Sequence, residues 1–295
     1  MLLNLLLKKK KKLPWLLQSS LAHLAAIGAS SELRHAFDCV ESFCMFIGYS
    51  RSGHSLVAAL LDAHPNIAMA HELRAVKYVE ANFGRDELYY LLYQNTRIRG
   101  HSWKRGKGYT YDVPNQWQGS FDKEIRVIGD KHGEYTVNSL ISNPKLVDKL
   151  RKTVKVPIRF IHVVRNPFDN IATMALKEAR HGSPLDIQGT IDRYFSVCES
   201  ISTIKSIVGE QHVFDLRHEN FVKKTQSQLQ ALCSWLGVES STSYLEACSE
   251  VVFESPRRSC YEVEWSPAQV QDIKDRIATY PFLDGYQFDY QLAEK

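Results

Sequence analysis

The sequence predicts an α/β fold, a three-layer P-loop-like domain in which helices flank a central parallel sheet. Two observations predict it. Short apolar runs alternate with longer segments of helical periodicity, and a glycine-bounded loop joins the first apolar run to a helix. Strands separated by helices of this length form right-handed crossovers, which place the strands in parallel and cover both faces of the sheet. We therefore expect ligands beyond the carboxyl ends of the strands.

Five apolar runs are the predicted strands, and helical patterns separate or follow them. The runs are FCMFI (43–47), IAMA (67–70), IRVIGD (125–130), IRFIHVV (158–164) and HVFDL (212–216). Helical patterns begin near residue 52 and cover 144–153, 190–208, 225–236 and 267–279. Their length and spacing favour helices over further strands.

The composition is that of a folded globular protein. The 295 residues are 44% hydrophobic and 24% charged, which is ordinary for this class. A net charge of +4 is too small to indicate a nucleic-acid partner, and we expect none. The six cysteines include no C-x-x-C pair, so neither a zinc site nor a disulfide framework is indicated. A cytoplasmic location is the simplest expectation.

Residues 1–40 are expected to form a tail and a surface helix, ahead of a single domain over 41–295. A lysine run, Lys8 to Lys12, precedes an apolar stretch that Pro14 and several polar residues interrupt. No segment reaches the roughly 20 apolar residues that span a bilayer. The lysine run could touch anionic lipid, although a solvated tail is the simpler interpretation.

An insertion at about 73–124 breaks the alternation of strands and helices. Its aromatic residues are Tyr89, Tyr90, Tyr93, Trp103, Tyr109, Tyr111 and Trp117, and its basic residues include Arg97, Arg99, Lys104, Arg105 and Lys107. Such a segment could form an acceptor pocket or a lid. It could equally be a structural subdomain whose aromatic residues are its own core.

The loop GYSRSGHS, residues 48–55, differs by one residue from the Walker A pattern G-x-x-x-x-G-K-[ST]. His54 stands at the lysine position. Because the loop lies between a strand and a helix, its backbone amides and the positive end of the helix dipole can converge on one anion. The expected phosphate contacts are Arg51, Ser52, Gly53, His54 and Ser55.

A second constellation, RNPFDNIAT, follows the fourth predicted strand. Arg165 ends the strand, Pro167 suits the first turn of a helix, and Thr173 comes two turns later. Arginine binds phosphate oxygens in a bidentate manner, so this unit could hold a second phosphate. Two phosphate sites on one sheet indicate a nucleotide that is phosphorylated at two positions.

Together, SRSGHSLVAALLDAHPNI and VVRNPFDNIAT resemble the two signatures of the sulfotransferase family. The family's donor is 3′-phosphoadenosine-5′-phosphosulfate (PAPS). The first stretch resembles the 5′-phosphosulfate loop, commonly P-R-S-G-T-[ST]-L, and tyrosylprotein and bacterial sulfotransferases are the most similar groups. The second resembles the 3′-phosphate motif, with Arg165 and Thr173 in the Arg and Ser places. His54 replaces the usual Thr and Ser50 the usual Pro. The resemblance spans about residues 43–290.

A later stretch, SPRRSCYEVEWSPAQV, resembles the family's basic loop over the nucleotide. It makes Arg257 and Arg258 candidates for the 3′-phosphate, with a solvated charge pair as the alternative.

The resemblance also implies catalytic roles. Glu72 is the expected base that takes the acceptor proton, provided that burial raises its pKa, and His71 and His132 are alternative bases. Lys131 is expected to stabilise the leaving group, and Arg74 could line the same cleft. An ordinary surface role is the alternative for each. No metal is expected, because Arg and Lys charges can stabilise this transition state. The acceptor is a hydroxyl or amine on a small molecule, a carbohydrate or a peptide.

Two other functions stay open on the sequence alone. A P-loop kinase or NTPase would use Asp130 as a Walker B residue, but it would normally need a lysine where His54 stands. A nucleotide-binding protein that has lost catalysis is the other alternative, and Glu72 and Lys131 argue against it.

Overall fold

The computed structural model describes residues 15–29, 31–99, 104–105 and 109–288. The lysine run from Lys8 to Lys12, Trp103 and Lys107 lie outside the described residues, and so do the side chains at 104, 105 and 109. Within the described residues, no helix is both long enough and apolar enough to cross a membrane.

A five-stranded parallel sheet forms the centre of the fold. Along the chain, the strands of the described residues are β1 (Ser42–Ile47), β2 (Ile67–His71), β3 (Lys104–Arg105), β4 (Tyr109–Thr110), β5 (Val127–Lys131), β6 (Ile158–Val164) and β7 (Val213–Arg217). All except β3 and β4 belong to the central sheet. The order across the central sheet is β2-β5-β1-β6-β7, and each neighbouring pair is parallel. β3 and β4 pair with each other in antiparallel fashion. The five predicted strands and the α/β class are confirmed, with strand ends shifted by at most two residues.

Helices cover the sheet on both faces. They are α1 (Trp15–Ile27), α2 (Ser31–Asp38), α3 (His54–Asp62), α4 (Ala75–Glu80), α5 (Arg85–Arg99), α6 (Gly133–Ser142), α7 (Lys145–Val154), α8 (Pro167–Arg180), α9 (Ile187–Val208), α10 (His218–Lys223), α11 (Thr225–Leu236), α12 (Thr242–Glu250) and α13 (Pro267–Ile277). Alternate residues of a strand point to opposite faces. In β1, Phe43, Met45 and Ile47 therefore enter one apolar core, while Cys44 and Phe46 enter the other.

Part of the aromatic insertion belongs to the first of these cores. Tyr89 and Tyr93 on α5 are buried. The Tyr89 ring stacks on Phe43 with centroids 6.2 Å apart, and its hydroxyl donates to the carbonyl of Val154 at 3.0 Å. Tyr111 has a different place, because it lines the cleft at the carboxyl end of the sheet. The insertion thus contributes both to the core and to the cleft.

Candidate functional site

Two adjoining cavities form one cleft where the strands end. The smaller has a volume of about 290 Å³ and the larger about 860 Å³. Arg51, Gly53, Tyr111 and Lys177 line both. Predicted site residues around the smaller cavity are His54, Ser55, Glu72 and Lys131; those around the larger are Arg165, Thr173 and Arg257. The position agrees with the general location of ligands in open α/β sheets.

The loop between β1 and α3 has a fixed shape. Gly53 has a φ of 108°, and a Cβ at this position would overlap the His218 ring. Arg51 has a φ of 70°, which is strained for a residue other than glycine. The Ser52 hydroxyl donates to the Tyr49 carbonyl at 3.1 Å. Backbone and side chain thus hold the loop ahead of the first turn of α3, and the N–H groups of a helix's first turn can bind an anion.

Residues of the second motif hold the same loop from the other side. Arg165 Nη1 donates to the Arg51 carbonyl at 3.1 Å, and Asn170 Nδ2 donates to the Ser50 carbonyl at 3.0 Å. Asn166 caps α8 by accepting a hydrogen bond from the backbone of Phe168. Because the cap fixes where α8 begins, side chains on its first turns reach the loop. The two motifs are in direct contact.

Arg165 is buried and makes several hydrogen bonds. Its Nη1 also lies 3.1 Å from Thr173 Oγ1, so the predicted pair is together. Its Nη2 donates to the Arg257 carbonyl at 2.8 Å and lies 3.4 Å from Ser259 Oγ. The guanidinium therefore joins the loop at Arg51 to the chain at Arg257, in addition to lining the larger cavity.

The side chain of His54 is buried at the edge of the smaller cavity. It is 8% exposed, and its ring meets Phe46 edge to face at 5.6 Å. Burial, followed by the positive charge of Lys131, lowers the pKa of His54 to about 3. The imidazole is therefore neutral at physiological pH. Any cationic contact to phosphate must come from other residues, while the backbone of His54 stays in the first turn of α3.

Lys131 and Glu72 form an ion pair in the smaller cavity. Lys131 Nζ lies 2.8 Å from Glu72 Oε1 and donates to Ser55 Oγ at 3.2 Å. Burial alone would raise the pKa of Glu72, but the charge and hydrogen bond of Lys131 outweigh it and lower the pKa to about 2. The condition that burial should raise this pKa is therefore not met. Glu72 is ionised and needs a change at Lys131 to become a stronger base.

The two histidines considered as alternative bases are, like His54, neutral at physiological pH. Burial, with Lys131 as the next cause, lowers the pKa of His71 to about 4. Burial likewise lowers the pKa of His132, and there Glu72 opposes the shift. His132 lines the smaller cavity, whereas the guanidinium of Arg74 lies 5.0 Å from the centre of the Tyr135 ring. Of the two histidines, His132 lies in the lining of the cavity that contains Glu72.

Asp130 has a structural role. It is 1% exposed, and its carboxylate accepts hydrogen bonds from the backbone of Leu73 at 3.0 Å and of Ala75 at 2.8 Å. These bonds hold a turn in which Glu72 and Arg74 have φ values of 55° and 69°. The carboxylate that the kinase alternative would assign to a metal instead fixes the turn that presents Glu72.

The two late arginines differ in position. Arg257 lines the larger cavity and pairs with Glu262 through Nε at 2.9 Å and Nη2 at 2.7 Å. Arg258 Nε lies 3.8 Å from Asp169 Oδ2, and its guanidinium lies over the Tyr261 ring. Of the two, Arg257 is the residue that lines the larger cavity.

Lys177, His218 and Phe253 are among the cleft residues that were not predicted from the sequence. Lys177 lies one helical turn after Thr173, so the i, i+4 spacing on α8 could have identified it. His218 and Phe253 line the larger cavity, and no local pattern marks them; Tyr111, which lines both cavities, belongs to the aromatic insertion that was considered as a pocket. Phe253 is 57% exposed, a high value for a large apolar side chain.

Comparisons with known proteins identify the family. A family profile described as "Sulfotransferase family" matches residues 44–242, about two thirds of the chain. No curated protein matches. The sulfotransferase domain of the Synechococcus PCC 7002 olefin synthase has a TM-score of 0.49 and 16% identity, over 81% of this chain and 94% of that one. Sulfotransferase STF9 from Mycobacterium avium has a TM-score of 0.49 and 11% identity, over 88% and 79%.

A third similar structure is mouse sulfotransferase SULT7A1, solved in complex with PAP, with a TM-score of 0.45 and 13% identity over 85% of this chain and 89% of that one. These structural likenesses are distant, and the assignment rests on the profile match. The chain belongs to the sulfotransferase family. It is a PAPS-dependent sulfotransferase, and the kinase or NTPase alternative is not favoured.

Proposed function

We propose that the chain transfers a sulfuryl group from PAPS, bound along the cleft, to a hydroxyl or amine acceptor that enters beside Glu72. One observation carries the proposal. The hydrogen bond from Arg165 to the Arg51 carbonyl brings the predicted 3′-phosphate and 5′-phosphosulfate motifs into one cleft. A nucleotide with phosphates at both positions can bridge them, whereas a nucleoside triphosphate has no use for the second.

The residues around the two cavities fit such a donor. The loop of Arg51, Gly53 and the first turn of α3 offers backbone N–H groups to the 5′ end. Arg165, Thr173 and Arg257 surround the larger cavity, where the 3′-phosphate would lie. Phe253 offers an exposed ring to the base in the same cavity, and ring stacking on a base contributes about 1–3 kcal/mol. A Cβ at Gly53 would overlap His218, so this part of the loop requires glycine.

Catalysis in this scheme uses the ion pair of the smaller cavity. A bond forms between the acceptor oxygen or nitrogen and sulfur, while the bond from sulfur to the bridging oxygen breaks. The acceptor proton goes to Glu72, and Lys131 balances the charge that grows on the leaving 5′-phosphate. General-base catalysis of this kind contributes about 10²- to 10⁴-fold. His132, neutral and in the same cavity, is the alternative base.

Binding measurements test the donor first. Titration calorimetry with 3′,5′-adenosine bisphosphate should give binding, and ATP with magnesium should bind more weakly. Tighter binding of ATP would contradict the proposed donor. The acceptor class is then tested by transfer of radiolabelled sulfate from PAPS into panels of phenols, carbohydrates and peptides. Absence of transfer to every panel, together with normal bisphosphate binding, would support the non-catalytic alternative.

Variants test the base. Glu72→Gln should lower transfer by about 10²- to 10⁴-fold and leave bisphosphate binding unchanged, because Glu72 lies at the acceptor end. His132→Ala is the matched variant in the same cavity. If His132→Ala abolishes transfer and Glu72→Gln does not, the base is His132.

A further inference from the structure

The ring of His54 lies in a narrow space between two glycines. A Cβ at Gly133 would overlap Cε1 of His54 and lie 2.6 Å from its Nδ1. A Cβ at Gly48 would lie 2.9 Å from its Nε2 and 3.1 Å from its Cε1. Real Cβ atoms do not approach other atoms this closely, so both glycines are needed where the ring lies. The same hypothetical Cβ of Gly133 would be 3.2 Å from the carbonyl of Gly48.

These three residues begin or follow the elements that carry the site. Gly48 comes directly after β1 and opens the donor loop. His54 is the first residue of α3. Gly133 is the first residue of α6, two residues after Lys131. The imidazole therefore occupies the junction between the donor loop and the chain segment that carries the leaving-group lysine.

The ring has a backbone hydrogen bond with Ile47, but its polar contacts are incomplete. No hydrogen-bond partner for its Nε2 is found among the described residues, and the ring is neutral and buried. A buried imidazole nitrogen without a partner is unfavourable, so space filling by an apolar side chain would serve stability better. Stability alone therefore does not explain why a histidine ring occupies this space, and a role in the site is the better explanation.

We infer that His54 is a positioning residue whose ring, held between Gly48 and Gly133, sets the distance from the donor loop to Lys131. At this distance Lys131 Nζ reaches Ser55 Oγ at 3.2 Å and Glu72 Oε1 at 2.8 Å. The inference rests on the proposed function, because it concerns the alignment of Lys131 with the donor. It also answers why a loop with the glycines of a Walker A motif carries His in place of Lys.

A double-mutant cycle tests the spacing. His54→Ala removes the ring, Gly133→Ala forces a methyl group against it, and the double variant restores the space. Each single variant should lower kcat at least tenfold while KM for PAPS changes less than threefold, since the loop backbone still binds the donor. The double variant should exceed Gly133→Ala in kcat at least fivefold. Equal kcat in wild type and His54→Ala would overturn the inference.

A second measurement does not depend on activity. Carbon-detected NMR titration of the glutamate carboxyls, with Glu72→Gln for assignment, reports the contact between Lys131 and Glu72. In His54→Ala the pKa of Glu72 should rise above about 2, because Lys131 is no longer held against it. An unchanged pKa of Glu72 in His54→Ala would contradict the positioning role of His54. This readout does not depend on nucleotide binding. A failure of the protein to bind bisphosphate would instead contradict the proposed function.

The matched control is His64→Ala. His64 is also buried, at 1% exposure, and its Nε2 contacts the Glu239 carbonyl at 2.9 Å, away from the cleft. This variant should lower the melting temperature without changing kcat or the pKa of Glu72. If His54→Ala behaves like His64→Ala in all three measurements, the ring only fills space and the inference is wrong.

Discussion

Lys131 Nζ lies 2.8 Å from Glu72 Oε1, so the residues proposed for leaving-group stabilisation and proton transfer bind each other. A carboxylate whose pKa is lowered to about 2 accepts a proton weakly. If the lysine turns toward the leaving phosphate, the carboxylate loses its partner, and burial then raises its pKa. In the proposed reaction, the strength of the base is therefore linked to the position of the lysine.

Replacing Lys131 should separate the two roles. In Lys131→Met, kcat should fall by about 10²- to 10³-fold, the usual loss for one electrostatic contact to a transition state. The acid limb of kcat/KM should move to higher pH, because the charge and hydrogen bond of Lys131 no longer lower the pKa of Glu72. Lys131→Arg is the control, since it keeps the charge and should keep the acid limb low. An acid limb that stays in place in Lys131→Met would disprove the link.

Arg165 should be sensitive even to a change that keeps its charge. A lysine cannot bond the Arg51 carbonyl, Thr173 and the Arg257 carbonyl together, as the guanidinium does. Hydrogen bonds to charged groups contribute about 1.5–3 kcal/mol, so Arg165→Lys should weaken bisphosphate binding about 10- to 100-fold. Affinity for 5′-AMP, which lacks the 3′-phosphate, should change less. Calorimetry with both nucleotides measures the difference, and Arg151→Lys on the surface of α7 is the control.

If Arg165→Lys lowers the affinity for both nucleotides equally, Arg165 only maintains the shape of the loop and does not bind the 3′-phosphate. The ratio of the two dissociation constants is therefore the decisive quantity.

Glu262 should restrain Arg257. The two side chains form a two-contact ion pair at the edge of the larger cavity, and Glu262 competes with any phosphate for the guanidinium. We expect Glu262→Gln to tighten bisphosphate binding by up to about fivefold, in line with the 0.2–1 kcal/mol of an exposed ion pair. Arg257→Ala should weaken it. Glu262→Gln in an Arg257→Ala background should have no further effect, and any gain there would contradict competition.

The sequence was sufficient to predict the sheet, and the two stretches proposed as phosphate motifs can be recognised in it. Apolar runs of four to seven residues identify buried parallel strands, because both faces of such strands are covered. The loop of Arg51 and the Arg165 to Thr173 unit each consist of neighbouring residues, so their spacing is visible in the chain.

Other parts of the site depend on tertiary contacts that no local pattern contains. The pKa of Glu72 follows from Lys131, which lies 59 residues away in the sequence. Phe253 follows the end of α12 in an irregular segment, and its place in the cleft depends on how that segment packs. The inward direction of the His54 ring depends on Gly48 and Gly133. These relationships are visible only in the three-dimensional structure.

The free energy of unfolding should depend on pH in the way expected for a buried, neutral His54. Its pKa of about 3 in the folded state lies below the usual value of 6.5. As the pH falls below about 6.5, the unfolded chain takes up a proton that the folded chain does not, so stability is highest above this pH and falls toward pH 3. One such histidine contributes a slope of up to about 1.4 kcal/mol per pH unit.

His54→Thr should therefore show a shallower fall in the free energy of unfolding between pH 6.5 and pH 4.5, measured by urea denaturation. His181→Thr, which removes an exposed histidine after α8, is the matched control. Parallel curves for wild type and His54→Thr would mean that His54 takes up its proton over the same pH range in the folded and unfolded states, and that its pKa is not lowered by folding.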